Sequence, residues 1–251
     1  GGRGDHALVV GDALEAPHLR AIEARLARWI DAMIARHLPS LVKLSDAARD
    51  PKVPGPLRAL LAPLSQSLGI ASRRSLDPML GELDRSLRTS ATRLGLRIGA
   101  LDVFVPAILK PEPMRWRIAV SATHEGIPMP ALPPPGAVTI PLDPAAEQAG
   151  YRVLGRQMTR IDIVERIART LHDAREATRK SETPFEPDAA LATSVGLDAQ
   201  GFARLLAELG FRRGKDGWLW RGRQRVRRDD ARPPDPGNAF AALAGLRTVH
   251  G

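Results

Sequence analysis

The residues best suited to chemistry lie between Phe211 and Arg228, in FRRGKDGWLWRGRQRVRR, where eight arginines or lysines accompany one acid, Asp216. Guanidinium and ammonium groups bind phosphate oxygens, and an exposed tryptophan can stack on a base for about 1 to 3 kcal/mol. Two alternatives stay open: the tryptophans can complete a hairpin core, and the basic residues can form an ordinary solvated surface. The pattern predicts a nucleic-acid contact formed by Arg212, Arg213, Lys215, Trp218, Trp220, Arg221, Arg223, Arg225, Arg227 and Arg228.

No other motif predicts catalysis or metal binding. The sequence lacks the phosphate-binding loop G-x-x-x-x-G-K-[ST], the zinc motif H-E-x-x-H and the nucleophile motif G-x-S-x-G. Cysteine is absent, and the six histidines have no metal-ligand spacing. We therefore expect no catalytic residue, no metal and no cofactor in this chain, which leaves open whether it belongs to an enzyme.

The charge of the chain is strongly positive and localised. There are 37 basic and 28 acidic residues, a net charge of +9. Eight basic and three acidic residues lie within 51–100, and eleven basic and five acidic residues lie within 201–251. Such clustering favours a polyanionic partner. Because no apolar run approaches about 20 residues and no signal peptide opens the chain, we expect a soluble, cytoplasmic protein with no membrane partner. The excess of arginine over lysine in an alanine-rich background suggests a bacterial source with a GC-rich genome.

Apolar residues in the first half recur with helical spacing. The pattern predicts a helix from Pro17 to near Pro39, and further helices over 57–68, 75–94 and 112–124. The apolar segment 103–109 is expected to be buried, as either strand or helix. These elements predict a helical accessory domain over residues 1–125.

The second half begins with a proline-rich segment and continues as a compact unit. Seven prolines lie within 126–144, which predicts a linker over 126–150 that wraps the surface, or alternatively a polyproline ligand. Helices are expected over 161–175 and 187–195, a third should start at the N-cap Asp198, and a hairpin should follow over 211–223. This order predicts a winged-helix-like basic domain over 151–228 and a flexible tail over 229–251. The predicted fold class is therefore mainly α with a small β-hairpin.

Sequence-specific readout of bases is not expected from the third helix. In winged helices that read sequence, this helix presents polar or basic side chains to the major groove. Here it offers only Gln200, Arg204 and Glu208. Contacts to phosphate bind nucleic acid without specifying its sequence.

Five stretches of the chain resemble a known family. RLARWIDAMIARHLPSLVKL (25–44), PLRALLAPLSQSLGIASR (56–73) and LGLRIGALDVFVPAILKP (94–111) resemble the C-terminal region of suppressor-of-Var type RNA helicases, and more closely their long alphaproteobacterial relatives. GYRVLGRQMTRIDIVERIA (150–168) and WLWRGR (218–223) resemble the same alphaproteobacterial proteins. The similarity covers most of the chain but not the two ATPase domains of that superfamily-two family, which would lie upstream.

The resemblance implies a C-terminal accessory region of an ATP-dependent helicase. Its helical domain would pack on the helicase core and help to form the channel for single-stranded RNA or DNA, while ATP and Mg²⁺ would be bound by that core. Arg93, Arg97 and Lys110 are then candidates for the channel-facing side, because they flank the most apolar segment. The alternative for these three residues is ordinary rim charge.

Two other functions are compatible with the sequence. The chain could be a protein-interaction module that docks a nuclease or a ribosome-associated protein through its proline-rich segment and helical faces. It could also be a winged-helix transcription regulator, although the weakly polar third helix argues against this function. The leading hypothesis is a non-catalytic region that binds and guides single-stranded nucleic acid.

Overall fold

The structure, a computed structural model, describes residues 16–178, 185–215 and 217–222. Over these residues the protein is mainly α-helical and carries small antiparallel sheets of two or three strands. The predicted fold class is therefore confirmed. The tail expected over 229–251 lies outside the described residues, and the division of the chain into domains stays a prediction.

Six helices make up the first half of the described chain. They are α1 (Ala16–His37), α2 (Pro39–Arg49), α3 (Gly55–Gln66), α4 (Arg73–Gly81), α5 (Arg85–Arg93) and α6 (Pro111–Glu125). Proline stands in the first turn of α2, α3 and α6, where its missing N–H costs no helical hydrogen bond. The helices predicted from Pro17, over 57–68 and over 112–124 are confirmed as α1, α3 and α6.

The helix predicted over 75–94 is wrong as a single element. The chain leaves α4 at Gly81 and starts α5 at Arg85. Asp84 causes the restart, because its side chain accepts a hydrogen bond from the Leu87 N–H at 2.7 Å as an N-cap. Helix α2 was not predicted, since Pro39 was interpreted as the end of α1, whereas it also opens the next helix.

A small sheet crosses this helical region. Its strands are β1 (Ile70–Ser72), β2 (Arg97–Ile98) and β3 (Asp102–Phe104), and β3 lies in the centre. The chain then enters a 3₁₀ turn over Pro106–Leu109. The apolar segment 103–109 is thus part strand and part 3₁₀ turn, and most of it is buried as predicted. It packs on a core made largely of leucines from α2, α3 and α4.

The proline-rich segment supplies the edge of a second sheet. Strand β4 (Thr139–Pro141) pairs with β6 (Gln157–Arg160), which also pairs with β5 (Tyr151–Leu154). Proline lacks a backbone donor and is therefore tolerated only at the edge of a sheet, where Pro141 lies. Part of the segment predicted as a linker over 126–150 thus pairs as an edge strand of this sheet.

The last elements follow the predicted order of three helices and a hairpin. They are α7 (Ile161–Thr178), α8 (Ala190–Thr193), α9 (Ala199–Leu209), β7 (Phe211–Gly214) and β8 (Gly217–Trp220). Asp198 caps α9 by accepting the Gly201 N–H at 2.6 Å, as predicted. Helix α8 is shorter than the predicted 187–195. Phe185 forms an isolated antiparallel bridge with Trp218 of β8.

Buried polar groups join the two halves of the described chain. The Glu165 carboxylate on α7 accepts the backbone N–H groups of Ala100, Leu101 and Asp102, in the turn between β2 and β3. Asp102 forms an ion pair with Arg152 of β5, with N–O distances of 2.9 and 3.0 Å. A carboxylate with three backbone donors is well satisfied although it is buried. These contacts fix α7 against the first sheet.

Candidate nucleic-acid interface

Arg97, one of the predicted contact residues, lies on the wall of an open pocket of about 530 Å³. Three further arginines line the same pocket: Arg73 at the start of α4, Arg88 on α5 and Arg169 on α7. We call this cavity the arginine pocket. The rest of its wall consists of Thr92, Gly95, Leu96, Ile98 and Pro106. Four cations from four elements therefore face one cavity whose other residues are neutral.

Backbone carbonyl groups hold two of these arginines in place. The guanidinium of Arg88 donates from Nε to the Leu83 carbonyl at 3.1 Å and from Nη2 to the Leu80 carbonyl at 2.7 Å. Arg73 donates from Nη1 to the Gly99 carbonyl at 2.7 Å and from Nε to Asp77 Oδ1 at 3.3 Å. Both side chains are thus oriented before any ligand arrives, which lowers the entropy lost on binding.

The remaining two arginines are exposed and have no carboxylate partner among the described residues. Arg169 lies four positions after Glu165 on α7, so the two residues share one face of the helix. The three hydrogen bonds that Glu165 accepts from the β2–β3 turn hold α7 against the first sheet, and Arg169 lines the same pocket as Arg97 at the start of β2. The only carboxylate hydrogen-bonded to a pocket arginine in the described chain is Asp77. The pocket wall consequently carries four arginines, of which one is hydrogen-bonded to a carboxylate.

The other two residues predicted from the first half do not join the pocket. Arg93 and Lys110 are both exposed, at the end of α5 and directly before α6. Neither contributes to the pocket wall. Their predicted contact with nucleic acid is not tested by this geometry. Sequence reasoning missed Arg73 and Arg169, because nothing in their local pattern distinguishes them from other surface arginines.

The hairpin of β7 and β8 presents a second basic surface. Arg212, Arg213, Lys215 and Arg221 are exposed. Arg212 donates to the carbonyl groups of Ala207 and Phe211 at 2.7 and 2.8 Å, which turns it toward the end of α9. The predicted contacts Arg223, Arg225, Arg227 and Arg228 lie outside the described residues. We call the four described cations the hairpin cations.

The two tryptophans of β8 differ in their surroundings. Trp218 is half-buried against the second hydrophobic core. Trp220 is 45% exposed and donates from Nε1 to the Leu209 carbonyl at 3.0 Å. The Arg175 guanidinium lies 4.1 Å from the centre of the Trp220 ring, a cation–π contact. Trp218 thus has a structural role in the hairpin, whereas Trp220 keeps exposed ring surface.

The polar side chains of α9 are largely occupied by ion pairs. Glu208 accepts from Arg204 at 3.0 Å and from Arg152 at 2.7 Å. Since Arg152 also binds Asp102, a chain of charges runs from α9 to the first sheet. Burial raises the pKa of Asp102 to about 6, even though Arg152 acts in the opposite direction. These groups have a structural role, which agrees with the weak potential for base readout inferred for α9.

A buried arginine serves a similar structural purpose on α6. Arg117 donates to the carbonyl groups of Leu68, Ser67 and Gln148, and burial lowers its pKa to about 10. It binds no carboxylate among the described residues. Its hydrogen bonds tie α6 to the end of α3 and to the segment before β5.

Comparisons with protein-family models, curated proteins and solved structures give no significant match to this chain. Within the described ranges, no group of three or more histidine or acidic residues is arranged to hold a metal ion. No helix in the same ranges is both long and apolar enough to cross a membrane.

Proposed function

We propose that this chain binds single-stranded nucleic acid through its phosphates, without reading the base sequence and without catalysing a reaction. The observation that carries the proposal is the arginine pocket, where Arg73, Arg88, Arg97 and Arg169 face one cavity. Four like charges repel one another, and an anion in the cavity relieves that repulsion. Arginine also matches phosphate geometry better than lysine does, because its planar fork donates two parallel hydrogen bonds.

The hairpin cations supply a second contact in this proposal. Their side chains are exposed, and Trp220 offers part of a ring face for stacking on a base. The ion-paired side chains of α9 support binding that is indifferent to sequence. Shape and charge of this kind serve RNA and DNA alike, so the proposal covers both.

The resemblance of five stretches of the chain to helicase C-terminal regions supports a proposal that this binding activity belongs to an ATP-dependent helicase. We propose that the chain is an accessory region that guides a strand at the helicase core, which would supply ATP hydrolysis and the Mg²⁺ site. The location proposed for the whole protein is the cytoplasm.

An exposed apolar face on α1 favours one alternative, a protein-interaction module. Ile22, Leu26 and Trp29 follow one another at spacings of four and three residues and are 37, 38 and 55% exposed. An exposed apolar face of this kind marks a surface that a partner protein can cover, for example the helicase core or a nuclease. This function predicts binding to a protein that survives high salt.

Fluorescence anisotropy with labelled strands tests the proposal. Single-stranded and duplex RNA and DNA of unrelated sequence are titrated across a salt series with the unaltered chain, Arg97→Glu/Arg169→Glu and a control, Arg25→Glu/Arg115→Glu. The control makes the same change in charge at exposed positions outside the pocket wall.

We expect binding that is independent of sequence and strongly salt-dependent. Each phosphate contact contributes a slope of about −0.7 in log K against log salt for single strands, so the pocket variant should reduce the slope by about 1.4. The control should bind like the unaltered chain. Equal losses in both variants, or no binding at low salt, would reject the pocket as a phosphate site.

A further inference from the structure

The arginine pocket and the hairpin differ in how their cations are arranged. The hairpin cations are spread along the chain, with Arg212 and Arg213 on β7, Lys215 in the turn and Arg221 directly after β8, as expected for a surface that follows a nucleic-acid backbone. In the pocket, four arginines converge from α4, α5, β2 and α7 on one cavity. A convergent arrangement suits a single anionic centre better than a row of separate charges.

We propose that the arginine pocket binds the phosphomonoester at the end of a nucleic-acid strand; this inference rests on the proposed function. A terminal phosphate carries a charge of about −1.5 to −2 at pH 7 and has three free oxygens. A phosphate within the strand carries one charge and has two free oxygens, and its two ester links must both leave the cavity. The terminal group is therefore the better match to four converging cations.

Free donors on the fixed arginines point to the same ligand. After the hydrogen bonds to carbonyl groups are counted, Nη2 of Arg73 and Nη1 of Arg88 have no acceptor among the described residues. Arg97 and Arg169 are exposed residues of the same pocket wall. The pocket wall thus combines two arginines held by backbone carbonyl groups with two exposed ones, and together they carry enough donors for three phosphate oxygens.

The size and lining of the pocket leave room for the first nucleotide behind the phosphate. A volume of about 530 Å³ falls within the range of about 300–1,000 Å³ that is usual for small-ligand sites. Leu96, Ile98 and Pro106 provide apolar wall next to the arginines. Such a wall suits a sugar or a base edge and exceeds what inorganic phosphate alone requires.

The test compares the affinity of the chain for single strands that differ only in the chemical group at their ends. Single strands of equal sequence are prepared with a 5′-phosphate, a 3′-phosphate or hydroxyl groups at both ends, and as a closed circle. Binding to the full chain is measured by anisotropy, beside Arg97→Gln/Arg169→Gln and Arg25→Gln/Arg115→Gln as the control. The glutamine variants remove charge at exposed positions, and thermal unfolding by circular dichroism verifies that each variant is folded.

We expect at least one phosphorylated end to bind about tenfold tighter than the hydroxyl strand and the circle. The pocket variant should lose this preference, and the control should keep it. Because the second ionisation of a phosphomonoester has a pKa of about 6, the preference should shrink as the pH falls from 7 to 5. Binding of strands that lack a terminal phosphate should not follow that titration.

The alternatives give different results. Equal affinity for phosphorylated, hydroxyl and circular strands would overturn the inference while the proposed function stands. Absence of binding to every strand would overturn both. Adenosine monophosphate distinguishes the two sources of a phosphomonoester: if it binds as tightly as the phosphorylated strand, the ligand is a free nucleotide, and the inference of a strand end is wrong.

Discussion

Glu165 offers the sharpest test of how the arginine pocket is held together. Its carboxylate accepts three backbone N–H groups from the β2–β3 turn: Oε2 accepts from Ala100, and Oε1 accepts from Leu101 and Asp102, both at 2.7 Å. Glu165→Ala removes both acceptor oxygens, and with them all three hydrogen bonds, and leaves the donors in a largely buried site. Glu165→Gln keeps one oxygen and turns an amide N–H₂ toward one of the donors.

The expected loss of stability follows from these contacts. A hydrogen bond to a charged group contributes about 1.5 to 3 kcal/mol, and water can reach part of the site once the side chain is gone. We therefore expect Glu165→Ala to lower the free energy of unfolding by about 4 to 6 kcal/mol. Glu165→Gln should cost about 2 to 3 kcal/mol, since two of the three hydrogen bonds can remain. Total stabilities are typically about 5 to 15 kcal/mol, so the alanine variant should be close to unfolding.

Urea denaturation followed by circular dichroism measures these differences, and Asp173→Ala serves as the control. Asp173 is an exposed acid on the same helix, and its removal should change the stability by less than about 0.5 kcal/mol. A loss below about 1 kcal/mol for Glu165→Ala would refute the inferred role of the carboxylate.

Gly99 allows a second check on the same contact. A Cβ atom at this position would overlap the Glu165 carboxylate. Gly99→Ala alone should therefore be destabilising, because the carboxylate must leave its donors. In the Glu165→Ala background the overlap disappears, so the double variant should be more stable than the sum of the two single effects predicts. Strictly additive stability effects of the two substitutions would mean that residues 99 and 165 are not in contact.

Two further predictions concern the buried charges and the hairpin. Burial raises the pKa of Asp102 from 3.8 to about 6, so the folded chain binds this proton more tightly than the unfolded chain does. The protonated Asp102 therefore contributes its full stabilisation below pH 4, and this stabilisation is lost as the pH rises through about 6. The change is about 3 kcal/mol at most, and Asp102→Asn should remove it from a series of urea denaturation curves between pH 4 and 7; an unchanged pH slope would contradict the assignment. Trp218→Ala should lower the free energy of unfolding by about 3 kcal/mol, because the Trp218 ring packs on the second core. Leu219→Ala should lower it by less than about 1 kcal/mol, because the Leu219 side chain is 52% exposed. Similar thermal unfolding midpoints for the two variants would contradict this packing.

Periodicity alone was enough to predict most helices, and local capping chemistry predicted one boundary. The stripes of apolar residues in α3 and α7 are buried on one side, and Asp198 caps α9 as expected. In α1 the helix formed as predicted, but Ile22, Leu26 and Trp29 of its stripe are exposed and Ile34 is buried. The helix break before Asp84 was missed, although the residue is a good cap. A continuing apolar pattern hid it, since Leu83 and Leu87 fit a single helix as well as two.

The candidate site was predicted in part. Arg97 was selected because it flanks the most apolar segment of the chain, and it does line the pocket. Arg169 could not be selected, because it is 72 positions away along the sequence and the two arginines share one cavity only after α7 packs on the first sheet. Arg88 was not selected either, because its local pattern is that of an ordinary charge on a helix surface.

The sequence by itself determined the mainly helical class, the helix–helix–helix–hairpin order and the strong positive charge. These properties depend on neighbours within about one or two helical turns or on composition, both of which are written in the local chain. Only the tertiary structure decided which of the 37 basic residues meet in one cavity. That choice depends on long-range contacts, above all on the buried Glu165 carboxylate that joins α7 to the β2–β3 turn, and no local pattern encodes a pairing between positions so far apart.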